Sequence, residues 1–201
     1  MVTNRLIVAG IVTLVVAVII AAFIANQQPQ SPISTTANQT KQQQPQNRSS
    51  TVQLTSTVFG NNTSIPDKYT CKGASVSPQL YWTAGPQGTK SYVLIVDDPD
   101  APRGVFTHWV IFNIPSSVNK LDENIPKNAT VEGVGVQGVN GARNTGYTGP
   151  CPPSGTHHYI FTLYAVDTVL DIAPKSTKDQ VLDAMKGHVI ATSVLIGLYS
   201  K

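Results

Sequence analysis

Residues 51–201 predict a mainly β domain, two sheets packed face to face with one C-terminal helix. Three observations point there. Ser91–Val96, Phe106–Ile114 and His158–Val166 are strand-length apolar runs rich in β-branched and aromatic residues. Turn chemistry separates the runs, as at Ile65-Pro66-Asp67-Lys68-Tyr69 and Gly85-Pro86. Helical signals are confined to one place, Thr177-Lys178-Asp179-Gln180, which has the form of a capping box. Many strands against one helix make a two-layer β architecture.

The elements follow in order. Thr51–Phe59 alternates and reads as a first strand, and Gln79–Trp82 as a short second one. The three apolar runs lack alternation, which places them centrally in a sheet with both faces covered. Glu132–Tyr147 carries Gly133, Gly135, Gly138, Gly141 and Gly146 without the spacing of a nucleotide-binding turn, so it reads as strand and loop. Val181, Leu182 and Met185 share a helical face, and Gly187 suits the helix stop. Val189–Tyr199 is the closing strand. The chain has no internal repeat.

The first 50 residues differ in kind. Leu6–Ala25 is 20 residues without a charge and with Thr13 as its one polar side chain. That matches the ~20 residues that cross a bilayer. The expectation is an uncleaved membrane anchor over 1–25. Arg5 places the N-terminus in the cytoplasm and the domain outside, a single-pass protein of the cell membrane. Residues 26–50, rich in Gln, Asn, Ser, Thr and Pro, read as a disordered tether. Sequons at Asn38, Asn47, Asn61, Asn62 and Asn128 would accept glycans in that compartment.

The formal charge of +3 comes from Arg5, Lys41 and Arg48. From Thr51 onward 11 Lys and Arg balance 11 Asp and Glu, so no basic footprint for nucleic acid remains. The two cysteines, Cys71 and Cys151, allow one long-range disulfide or two buried thiols, and their spacing resembles no zinc motif.

Two runs carry the chemistry. Asp97-Asp98-Pro99-Asp100-Ala101-Pro102, closed by Thr107-His108-Trp109, is one. Gly149-Pro150-Cys151-Pro152-Pro153-Ser154-Gly155-Thr156-His157-His158-Tyr159 is the other. Both set titratable side chains in stiff turns at strand ends. Strand parity puts Phe106, His108, Val110 and Phe112 on one face, with Trp109 and Ile111 on the other. His157, Tyr159, Phe161 and Leu163 share a face by the same rule. A carboxylate beside an imidazole orients the ring. Asp98 with His108 and His157 therefore forms a recognition element for phosphate. The Gly149 N–H, free to approach a ligand closely, and the Tyr159 hydroxyl are further donors. His158 points to the opposite face and serves the surface, and His188 follows the helix stop without a role. Each motif alone would be an ordinary turn or loop; their recurrence at strand ends makes the site.

Together these motifs resemble the phosphatidylethanolamine-binding protein family, which includes the Raf kinase inhibitor protein, and its bacterial and archaeal branch in particular. The resemblance runs from about Val52 to Tyr199. It adds Tyr69-Thr70-Cys71-Lys72-Gly73, Ser77-Pro78 and Gly187-His188-Val189 to the two runs. It implies a large antiparallel sheet packed on a smaller one, and a pocket for phosphate, phosphorylated small molecules or phospholipid headgroups. By motif position the pocket residues are Asp98, Asp100, His108, Gly149, His157 and Tyr159. His158 stands where the family often has Arg. No cofactor or metal is implied.

The expected function is a membrane-tethered, non-catalytic binding domain. The rival reading is a modulator of a protein partner such as an extracellular protease. A hydrolase built on His108, His157 and Asp98 would need Cys151 as nucleophile, and a metal held by two His and two Asp is the remaining alternative.

Overall fold

The computed structural model describes residues 51–201. Strands β1 (Leu54–Ser56), β2 (Thr63–Ser64), β3 (Leu80–Trp82), β4 (Ser91–Asp98), β5 (Phe106–Pro115) and β6 (Lys120–Leu121) come first. After them come β7 (Thr130–Val131), β8 (Gly135–Gln137), β9 (Thr156–Val166), the helix α1 (Lys178–Ala184) and β10 (Val189–Ser200). A three-stranded sheet has the order β1-β3-β6, and a seven-stranded sheet the order β2-β10-β9-β4-β5-β8-β7. Neighbours are antiparallel except β2 and β10, which pair in parallel. The expected large sheet on a smaller one is the observed architecture.

Strands β4 and β5 are buried on both faces, which is why they lack alternation, whereas β9 alternates between buried and half-buried residues. On one face Leu94, Val96, Trp109, Ile111, Phe161 and Leu163 pack in a core with Leu54, Leu80 and Trp82 of the small sheet. On the other, Val93, Ile95, Val110 and Phe112 pack with Val181 and Met185 of the helix. At seven residues α1 is too short to persist alone, so this packing holds it. Its start is the expected capping box: Gln180 N donates to Thr177 Oγ1 at 3.3 Å, and Thr177 N to Gln180 Oε1 at 2.9 Å.

Strand β5 departs twice from regular pairing with β4. Tyr92 pairs with Ile114 but Leu94 with Ile111, so β5 carries one extra residue there, around Asn113 with its φ of 54°. Val96 pairs with Trp109 but Asp97 with Thr107, which leaves His108 as the extra residue. A bulge of this kind places a side chain where alternation would not.

Three expectations need correction or restriction. The first strand is shorter than Thr51–Phe59, because regular pairing with β3 covers Leu54–Ser56. The membrane localisation is overturned: among the described residues no helix is long and apolar enough to cross a bilayer. At 1.5 Å per residue, α1 reaches about 10 Å against a hydrocarbon core of ~30 Å. The segment Leu6–Ala25 and the tether 26–50 lie outside the described residues, as do the sequons at Asn38 and Asn47.

Candidate functional site

Three strand ends meet at one end of the large sheet. Antiparallel pairing sets the C-terminal end of β4 beside the N-terminal ends of β5 and β9, with Asp98 opposite Phe106 and Asp97 opposite Ile160. Loops from these ends enclose a cavity of about 210 Å³. Asp98, Pro102, Phe106, His108, Thr148, Gly149, Cys151 and His157 are among its lining residues.

The His108 bulge makes this site. Regular alternation would group His108 with Val110 and Phe112, on the helix side of the sheet. Instead its ring meets Tyr159 edge-on at 5.1 Å between centroids, and Tyr159 belongs to the core between the sheets. Phe106 also packs edge-on to His108, at 4.8 Å. His157 lies on the same side, its ring stacked toward Tyr159 at 6.5 Å. The expectation that Phe106, His108, Val110 and Phe112 share a face is therefore corrected: His108 stands with Tyr159, and Val110 and Phe112 lie against the helix.

Each imidazole is fixed through Nδ1. His157 Nδ1 lies 2.7 Å from Asp98 Oδ2, with both residues buried. Asp98 Oδ1 accepts the Asp100 N–H at 2.9 Å, so the turn itself steadies the carboxylate. His108 Nδ1 lies 2.7 Å from the Thr148 carbonyl, which can only accept. The proton is therefore on His108 Nδ1, and Nε2 is left for a ligand. Burial holds the His108 pKa below the ordinary value, against the Thr148 hydrogen bond and the Asp98 and Asp97 charges, which raise it.

Other expected residues take different places. Asp100 lies outside the cavity lining: its carboxylate accepts from the backbone N–H of His158 and pairs with His158 Nδ1, both at 2.8 Å. Those bonds keep its pKa low. His158 is thus the surface residue expected, with a defined partner. Gly149 lines the cavity, but its N–H donates to Ser75 Oγ at 3.0 Å, so the open amide donor is corrected. A glycine is needed there for another reason: a Cβ would fall 2.8 Å from the Tyr69 carbonyl oxygen and 2.9 Å from Thr70 Cα. The Tyr159 hydroxyl is buried and lacks a partner of ordinary geometry. Burial chiefly, with the Asp98 charge, pushes its pKa up.

A disulfide joins Cys71 to Cys151, with Cα atoms 5.4 Å apart. It fastens the 147–153 loop to the 69–75 segment, beside Cys71 N to the Pro150 carbonyl at 2.9 Å and Tyr147 Oη to the Tyr69 carbonyl at 2.9 Å. Among the described residues no group of three or more His, Cys, Asp or Glu side chains is placed to hold a metal.

Sequence reasoning missed Thr148, Ser75 and Phe106. Thr148 and Ser75 act through a main-chain carbonyl and a small hydroxyl, which leave no pattern in a sequence. Phe106 carried a signal, as the aromatic residue opening the Thr107-His108-Trp109 run.

The family of phosphatidylethanolamine-binding proteins matches residues 55–200. The chain belongs to that family. A UPF0098 protein of Methanothermobacter thermautotrophicus is 51% identical over 144 residues, covering 72% of this chain and 95% of the relative. A UPF0098 protein of Aquifex aeolicus is 43% identical, covering 75% and 89%. Among solved structures, a phosphatidylethanolamine-binding protein homologue of Chlamydia trachomatis superposes with a TM-score of 0.70 at 42% identity, covering 76% of this chain and 99% of that one. Escherichia coli YbcL, described as a member of the mammalian family, gives 0.68 at 30% identity, covering 75% and 98%. Membership makes this a binding-type domain.

Proposed function

We propose that the domain binds phosphate-bearing small molecules or phospholipid headgroups without catalysis. The observation that carries this reading is the pair of imidazoles on one small cavity, each held through Nδ1, with Nε2 left over. An anion entering between them takes an N–H from each ring in its protonated form. Charge-assisted bonds of that kind are about twice as strong as neutral ones. Asp98 holds the His157 ring in place through Nδ1.

Size favours a headgroup. The cavity volume of about 210 Å³ is below the ~300–1,000 Å³ of sites that enclose drug-sized ligands. A phosphate with a short substituent fits, with its tail left outside. The non-catalytic reading has its own support: Cys151, the candidate nucleophile of the hydrolase alternative, is bonded to Cys71.

The test is thermal unfolding with inorganic phosphate or phosphoethanolamine at millimolar concentration. At ten times Kd a ligand stabilises by about 1.4 kcal/mol. For a domain of this size that raises Tm by about 3–6 °C. His157→Ala removes the rise. A flat Tm with both ligands in the unaltered protein overturns the proposal.

A further inference from the structure

A second, larger cavity of about 700 Å³ adjoins the first. The two share Ala101, Pro102 and Phe106 as a common wall. The outer groove is lined by Arg103, Arg143 and Lys178, with Asp179 as its acidic lining residue. Lys178 is committed, its Nζ lying 2.8 Å from Asp97 Oδ2. Arg103 and Arg143 are not: neither guanidinium has a hydrogen-bond or ion-pair partner among the described residues.

We infer that the ligand carries two anionic groups, one for the imidazole cavity and one for the Arg103 and Arg143 guanidiniums. This rests on the reading of the imidazole cavity given above. Guanidinium is the side chain best suited to a phosphate or carboxylate, which it meets with two parallel N–H donors. An exposed arginine is by itself unremarkable. Here two of them open on one groove, and both stand on the same structure that builds the cavity.

Arg103 rides a β-turn, closed by Gly104 N to the Ala101 carbonyl at 3.1 Å with Gly104 at a φ of 95°. Pro102 of that turn lines both cavities. Arg143 sits at a φ of 62°, a conformation that long side chains seldom adopt. Asn140 holds it there. The Asn140 Oδ1 accepts from Ala142 N at 3.0 Å and Asn144 N at 3.1 Å. Its Nδ2 donates to the Gly146 carbonyl and to Thr148 Oγ1, both at 2.9 Å. Thr148 is also the residue whose carbonyl fixes His108. One buried asparagine thus braces the Arg143 turn and the acceptor that orients an imidazole. Stiff loops of this kind add little ordering cost when a ligand binds.

The geometry therefore favours a small molecule with two phosphates, or a phosphate and a carboxylate, joined by a spacer that passes Phe106. Both ends held at once raise affinity through effective concentration. Isothermal titration calorimetry tests this with propyl, hexyl and octyl phosphate against the bisphosphates of the corresponding diols, at constant pH and salt. At one spacer length or more, the bisphosphate binds about tenfold tighter than its monophosphate or better. Arg103→Gln with Arg143→Gln cancels the advantage and leaves monophosphate affinity and Tm unchanged.

Equal affinity of each bisphosphate and its monophosphate, with the monophosphates binding, overturns the inference and spares the cavity reading. Binding by neither series removes both. Bisphosphate binding that survives His157→Ala but is lost in the arginine double variant shows a groove acting alone, and the two-site ligand is then wrong.

Discussion

His108 has no choice of tautomer, because a carbonyl oxygen sits 2.7 Å from its Nδ1. It also has little access to solvent, and burial lowers its pKa. The unfolded chain therefore binds a proton near pH 6.5 that the folded protein resists. Stability of the ligand-free protein falls as pH drops below about 6.5, and His108→Asn flattens that limb. Anion binding works in the opposite sense, since it draws on the charged ring. The Tm increment given by an anion grows as pH falls from about 8 to about 5.5. Sulfate makes the cleaner probe, as its own charge is constant over that window whereas phosphate titrates. An increment that stays level with sulfate would show that His108 takes no part in binding. Asp100, with its lowered pKa, titrates below this range and does not disturb the comparison.

At the scale of elements, the strands were legible and the faces only in part. β4 and β5 stood out because burial on both sides demands unbroken apolar runs, and β9 because its aromatic and aliphatic residues favour an extended chain. The helix was marked by Thr177 and Gln180 because capping is a local interaction. The face of His108 was not legible. A bulge arises from how β5 pairs with β4, and side-chain type at one position does not encode it. Asn113 is the exception, since a left-handed φ in a strand suits Asn or Gly. Its side chain adds two bonds, Nδ2 to the Leu170 carbonyl at 2.9 Å and Leu170 N to Oδ1 at 2.8 Å. These roles separate by substitution. Asn113→Gly keeps the backbone and loses the bonds, at about 1–2 kcal/mol. Asn113→Ala also meets the unfavourable φ, adding about 1 kcal/mol. Urea unfolding should rank natural protein above the glycine variant and the glycine variant above the alanine one. Equal loss in both would show that the bulge does not depend on this φ.

The whole molecule is tied together by contacts far apart in sequence, which is where sequence reasoning stopped. Asp98, His108 and His157 could be grouped from motifs, but the surroundings of Gly149 depend on Tyr69 and Ser75, some 75 residues away. Cys71 and Cys151 could be counted, while the bond between them required the fold. That bond spans 80 residues. In the chain-entropy view a loop of this length stabilises by about 4.5 kcal/mol, and native disulfides commonly give about 2–5. Both cysteines are exposed, so a thiol reductant reaches them. Replacing both by serine should lower stability by about 2–4 kcal/mol in urea unfolding. The effect on the site should be smaller. The loop keeps the Cys71–Pro150 and Tyr147–Tyr69 bonds and the Gly149–Ser75 contact, so at temperatures well below Tm the cavity persists. Phosphate affinity then falls several-fold rather than vanishing. Loss of all binding in a folded double-serine variant would instead make the disulfide itself the element that shapes the cavity. An unchanged unfolding midpoint would mean that the hydrogen bonds alone hold the loop.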